Sequence, residues 1–426
     1  MKSTYNYLFL TILKYLFTLI LFLFVSQFGY SQSNFEDAEN IKSVIFKANT
    51  TNSYVPILRQ GEELILIFDD LNADESNFYY KIEHCNANWS PSNLSTIEYI
   101  NGFAEEKIRT FQNSFNTYLP YTNYQVTLPN RDTKFKISGN YTVSILNDNG
   151  QVVLKRRFII YETNTTVAVT MRQSRDIANI DKQQTVQFTI NNNSLTINNP
   201  SEEIMPVLLQ NNNWQTAISG LKPQFIRGNQ LLYLYDKETT YWGGNEFWGF
   251  DTKDLRSGTK DIGRIELGSD IYHTYLYTNE EQIGKPYTLN PDINGNFVIR
   301  TLNGEYNNVE ADYSWVHFSL DCLEDLRGKE IFVSGNYNNW ALNDLNKMQY
   351  NQDTNLYEAT ILMKQGFYNY QFATKDLQGN ISFHDIDGSH YQTENDYTII
   401  VYYKPFGARY TRAVGVGMLA SKISSN

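Results

Sequence analysis

The stretch NYTVSILNDNGQVVLKRRFIIYE, Asn140 to Glu162, sets two apolar runs on either side of a polar turn. In the first run Tyr141, Val143 and Ile145 alternate with Asn140, Thr142 and Ser144, the period of two expected of a half-buried strand. The second run is β-branched and aromatic, but it carries Arg156 and Arg157 side by side. Neighbours in a strand point to opposite faces, so a membrane-spanning strand would turn one of these arginines into lipid. The pair therefore argues for sheets that pack on each other in water and against the transmembrane barrel that aromatic, alternating strands can also signal. The shortness of many strands and the final residues KISSN, which do not form an aromatic closing strand, point the same way.

Working outward, similar runs recur at short spacing. IKSVIFKA from Ile41, ELILIFDDL from Glu63, FYYKIEHC from Phe78 and YQVTLP from Tyr124 join the two strands above, and six strands with turns between them suit a β-sandwich. Residues 86–123 are too long for a hairpin loop and are expected to be an insertion that offers a functional surface. After the linker Thr163 to Thr166 a second set runs through VAVTMRQ, TVQFTINN, PVLLQNN, QLLYLYD, RIELG, YHTYLYTN and FVIRTL. A third set holds YSWVHFSLD, IFVSGNY, YEATILM, FYNYQFAT and YTIIVYYK. The fold class is all-β, a tandem of sandwiches of the immunoglobulin-like or early-set kind. The expected division is a leader over 1–31, an N-terminal sandwich over 32–164, a middle sandwich over 165–310, a C-terminal one over 311–405 and a partly ordered tail over 406–426.

The leader follows from Lys2 and Lys14 before the apolar run Tyr15 to Val25, with small residues Gly29 and Ser31 where a signal peptidase cuts. That run is shorter than the ~20 residues a helix needs to span, so export with cleavage near Ser31 is expected rather than an anchor. No cysteine lies at the cut, and lipidation is not expected. The chain carries 35 basic against 46 acidic residues, and losing Lys2 and Lys14 makes it more acidic still. Such a balance repels phosphate backbones and anionic lipid, so neither nucleic acid nor a membrane surface is an expected partner. Cys85 and Cys322, the two cysteines, fall in different expected domains and are read as separate thiols, although an oxidising compartment permits a bridge.

Little in the chain suggests chemistry. The histidines His84, His273, His317, His384 and His390 lack metal-ligand spacing, and FHDIDGSH from Phe383 and DINGN from Asp292 read as turns. There is no serine elbow, phosphate loop or dinucleotide fingerprint. Carboxylates are plentiful, but only a structure can place two of them across a bond, so no enzyme, metal or cofactor is expected. In YWGGNEFWGFD, from Tyr241, four large rings surround Gly243 and Gly244 and are read as partly buried, with an interface as the alternative.

Taken in order, several strings resemble one family. FYYKIEHCNANWSPSNLSTIEYINGF from Phe78, SFNT from Ser114, YTNY from Tyr121, SGNYTVSI from Ser138, GGNEFWGFD from Gly243, DINGNF from Asp292, the Gly335 turn and PFGARYTRAVGVG from Pro405 are similar to type IX secretion system plug proteins. Asn88 and Asn123 stand where that family often has Asp and His. The resemblance implies an exported, periplasmic protein with no catalytic residues. It also implies a protein that docks on the periplasmic mouth of the giant outer-membrane translocon barrel of the SprA/Sov type and seals it by reversible contact. Under that reading Trp89, Tyr99 and Phe103 in the insertion, with Trp242 and Trp248 in the glycine-rich turn, are the expected partner contacts. A second resemblance, of SGNYNNW and the strand around Phe367, is to early-set sandwiches that bind glycogen, with Trp340 and Asn395 at sugar-site positions. Gln371 replaces their lysine and Phe383 their second indole, so periplasmic glycan binding is the alternative function. Trp340 itself is expected to pack on its own loop, with partner contact the other option.

Overall fold

Arg156 and Arg157 divide as the alternation requires, Arg156 buried and Arg157 half-buried. In the computed structural model, which describes residues 35–50, 53–322, 326 and 328–420, strand Gly139–Leu146 pairs antiparallel with Val152–Tyr161, placing Tyr141 opposite Phe158. Arg156 lies at the margin of the core face, where its guanidinium grips Asp37 at 2.5 and 2.7 Å. Arg157, on the other face, lies 4.9 Å over the ring of Trp89. The protein is all-β, as expected, and no helix among the described residues is long and apolar enough to cross a membrane. The leader and its cleavage site lie outside the described residues.

The first sandwich packs two sheets. One runs Ile41–Ala48, Leu64–Asp70, Thr122–Leu128, Thr110–Asn113, and the other Ile57–Arg59, Val152–Tyr161, Gly139–Leu146, Tyr79–Cys85, Glu105–Lys107. Its core holds Phe68, Phe78, Tyr80, Tyr124, Tyr141 and Phe158, with rings edge-on or stacked at about 5 to 6 Å. The expected insertion over 86–123 is largely part of this sandwich. Glu105–Lys107 extends one sheet and Thr110–Asn113 the other, because their backbones find ready edges to pair with.

The expected boundaries at 310 and 405 are not where the chain divides. One sheet of the second sandwich is built on Thr165–Gln173 and Gln183–Asn192, and the other is Ile204–Gln210, Asp396–Tyr403 and Arg412–Ala420. The third sandwich forms from strands between Trp248–Asp251 and Ile381–Ser382, centred on Gly366–Lys375 in one sheet and Tyr313–Asp321 in the other. It is thus inserted into the second. The physical reason is burial: Tyr397, Ile399 and Val401 face the second core while Ile400 and Tyr402 face the first sandwich, so Asp396–Tyr403 needs cover on both sides. The expected tail is corrected too. Arg412–Ala420 is a full strand, and Gly415 and Gly417 let Thr165 and Val167 approach so closely that a Cβ would fall 2.1 and 2.6 Å from their side chains.

Candidate docking surface

Of the five residues expected to touch a partner, three face inward. Trp89 takes a left-handed backbone conformation, φ 66°, in the turn after Tyr79–Cys85, and it stands edge-on to Trp214 at 5.0 Å. Tyr99 is buried in the first core. Trp248 is half-buried and donates its indole N–H to Asp387 at 2.8 Å. Trp242 lies flat on His384, ring centroids 4.2 Å apart, with 36% of its surface open, and Phe103 is 62% exposed. The sugar positions are closed. Trp340 is buried, but against Phe247 and Gly295 from two other turns rather than on its own loop alone, and Asn395 gives its amide to Gln184 and Gly243. Cys85 and Cys322 are not joined in a disulfide, and the Cys322 thiol donates to the Glu281 carboxylate at 3.5 Å.

The family-like strings mostly form seams between sandwiches. Between the first and third, the buried Asp69 carboxylate accepts the Lys364 ammonium at 2.6 Å, the Tyr313 hydroxyl at 2.7 Å and the Asn123 amide at 2.6 Å. Burial pulls Lys364 below the usual lysine range, and Asp69 pushes it back up. Lys364 also lies 4.0 Å over Tyr121, whose hydroxyl donates to the Ala311 carbonyl at 2.7 Å. Between the first and second, Trp89, Ile159, Val207, Leu209 and Tyr402 share an apolar cluster, and Tyr402 donates to Asn140 at 2.6 Å. Between the second and third run the two connectors of the insertion. Gly243 donates to the Lys182 carbonyl, and a Cβ on it would fall 2.0 Å from the His390 carbonyl.

Among the outward-facing parts of these strings is one end of the first sandwich. Ser95 and Glu98 start a single helical turn, Thr96–Tyr99, in the S-x-x-E pattern: the Ser95 N–H donates to the Glu98 carboxylate at 2.8 Å. Glu98 in turn holds Arg409 at 2.7 Å, which fixes the Pro405 loop beside it. Ile97 (76% exposed), Phe103 and the fully exposed Phe406 therefore stand on anchored backbone, with Ile97 and Phe103 on either side of the strand Ile100–Gly102. Sequence reasoning missed Ile97 and Phe406. The S-x-x-E signal could have found the first, since a one-turn helix leaves part of its side chains outside.

The family model described as the type 9 secretion system plug protein first domain matches residues 41–162. A crystal structure of a hypothetical protein from Parabacteroides merdae is 32% identical, with a TM-score of 0.87, over 90% of this chain and 98% of that one. The chain belongs to the type 9 secretion system plug family. A crystal structure of trypsin-activated alpha-2-macroglobulin from Escherichia coli is 10% identical, at a TM-score of 0.18 over 86% of this chain and 27% of that one, too slight a likeness to bear on the fold. No curated protein matches the chain. The plug-domain match, 41–162, coincides with the first sandwich, so Ile97 and Phe103 lie inside it and Phe406 is brought to it from outside.

Proposed function

We propose that this plug-family protein sits in the periplasm and closes the periplasmic mouth of the giant type 9 outer-membrane translocon barrel, docking reversibly and without catalysis. The observation that carries the reading is the pair of buried seams joining the plug-domain sandwich to the other two. A single 100-residue sandwich has a radius of gyration of about 13 Å, whereas some 390 residues packed as one body reach about 21 Å. Occluding a pore wide enough for folded cargo needs the larger body, and it needs one that does not flex apart. Rigid presentation also lowers the ordering cost of binding. Release requires that affinity stay in the micromolar to nanomolar range, about 8 to 12 kcal/mol.

The end of the first sandwich with Ile97, Phe103 and Phe406 is the surface proposed to meet the barrel. A tagged chain recovered from outer membranes is expected to bring the barrel with it, and Phe103→Ala with Phe406→Ala is expected to lose it while keeping the wild-type circular dichroism. Retention of the barrel by the folded double variant would overturn this assignment. The glycan-binding alternative is disfavoured by the burial of Trp340 and Asn395, and retention of the chain on α-glucan would revive it.

A further inference from the structure

The seam between the first and third sandwiches sets an amine against a carboxyl in a closed, aromatic site. The side chains of Asp69 and Lys364 are 1% and 2% exposed, and Lys364 Nζ lies 2.6 Å from Asp69 Oδ2. A carboxyl C–O bond is about 1.2 Å long, so the same nitrogen lies within about 3.8 Å of the Asp69 Cγ. Bond-forming attack proceeds from about 3 to 3.5 Å, which leaves little distance to close. The rings of Tyr121 and Tyr313, both fully buried, lie 4.0 and 5.9 Å from Nζ.

The neighbouring groups hold the pair in that attitude. Lys364 Nζ also donates to the Asn308 carbonyl at 2.7 Å, and the Tyr368 hydroxyl donates to the Lys364 carbonyl at 2.6 Å, so both ends of the lysine are fixed. On the carboxyl the two oxygens carry different donors. Asn123 gives its amide N–H to Oδ1 at 2.6 Å, whereas Tyr313 gives its hydroxyl to Oδ2 at 2.7 Å, the oxygen that also faces the amine. Burial is the largest influence on Lys364 and pulls it below the usual lysine range, which favours the neutral amine that attack requires.

We propose that Lys364 and Asp69 condense into an isopeptide bond, a covalent staple between the third sandwich and the first. The ion pair is its reactant. The Lys364 ammonium passes one proton to Asp69 Oδ2, and the freed nitrogen lone pair attacks Cγ to form the new N–C bond. The C–Oδ1 π electrons move onto Oδ1, where the Asn123 N–H already points. On collapse the C–Oδ2 bond breaks, and Oδ2 leaves as water with a second proton from the nitrogen, steadied by the Tyr313 hydroxyl. An ammonium and a carboxylate become an amide and one water, so no co-reactant is consumed. The bond joins residues 295 apart in sequence, and a cross-link over so long a loop restricts the unfolded chain most. The staple stands apart from the docking reading above and survives if that reading fails.

Trypsin digestion of the purified full chain, read by mass spectrometry, tests the staple. An acylated Lys364 resists trypsin, so the expected product is a branched peptide joining residues 60–81 to 348–375, lighter than the two together by one water. Fragmentation is expected to place the branch between Asp69 and Lys364. Lys364→Arg and Asp69→Ala chains are each expected to release 60–81 unbranched. A wild-type chain that yields only the separate peptides 60–81 and 348–364 overturns the proposal, whether or not the variants fold. A branch from Lys364 to residues 110–131 with loss of ammonia also overturns it, because Asn123 is then the acceptor, as does a branch to 60–81 that survives in Lys364→Arg.

Discussion

Replacing Lys364 by Met probes the seam on which the single-body account depends. The substitution nearly conserves volume but removes three things at once: the 2.6 Å ion pair with Asp69, the 2.7 Å bond to the Asn308 carbonyl and the cation 4.0 Å over Tyr121. Asp69 is then left fully buried with only the neutral donors Tyr313 and Asn123. Breaking a buried pair from one side strands the other charge, at a typical cost of about 3 to 5 kcal/mol. Lys285→Met supplies the scale. Its ion pair with Glu280 has a similar length, 2.9 Å, but is exposed on both sides, and such pairs contribute about 0 to 1 kcal/mol. Urea unfolding followed by tryptophan fluorescence should separate the two variants. Adding Asp69→Asn to Lys364→Met should cost less than the two single changes together, since no charge is then left unpaired. A Lys364→Met chain that loses no more than about 1 kcal/mol, indistinguishable from Lys285→Met, would refute the weld.

Trp340→Ala should cost about 3 to 5 kcal/mol in the same assay, as for other large buried rings, and should leave α-glucan retention at the wild-type background. Gly243→Ala, with its Cβ 2.0 Å from the His390 carbonyl, should cut soluble yield, whereas Gly244→Asn, with open space and a φ of 67° that Asn tolerates, should cost under about 1 kcal/mol. Burial pushes the Cys85 thiol up to about 11, so at about pH 8 a thiol reagent should label Cys322 in the native chain and Cys85 only after denaturant is added.

The fold class was legible because alternation and the arginine pair are local signals. Tyr141, Val143 and Ile145 mark one face of one strand wherever that strand goes. Pairing partners are not local: nothing in YTIIVYYK says that it joins Ile204–Gln210, almost two hundred residues earlier, rather than its nearer neighbours. A clue was present, since an apolar run without alternation is covered on both faces, and Ile399 and Ile400 serve two different cores. The docking residues misled for a related reason. Trp89 and Trp248 follow turn-forming residues and look exposed, but a turn at a seam between sandwiches is buried by the neighbour it meets. Asn123 and Lys364, polar residues with no readable motif in common, found each other through Asp69. Phe103, which lies on an outer edge that no neighbour covers, was read as a contact, and the structure leaves it open.

Entry of a large antibiotic through the outer membrane measures occlusion of the barrel directly. Deleting this chain is expected to raise entry when the translocon barrel is present and to leave it unchanged when the barrel is deleted as well, with the wild-type chain restoring the seal. Leakage of equal size in cells that lack the barrel would contradict a sealing role.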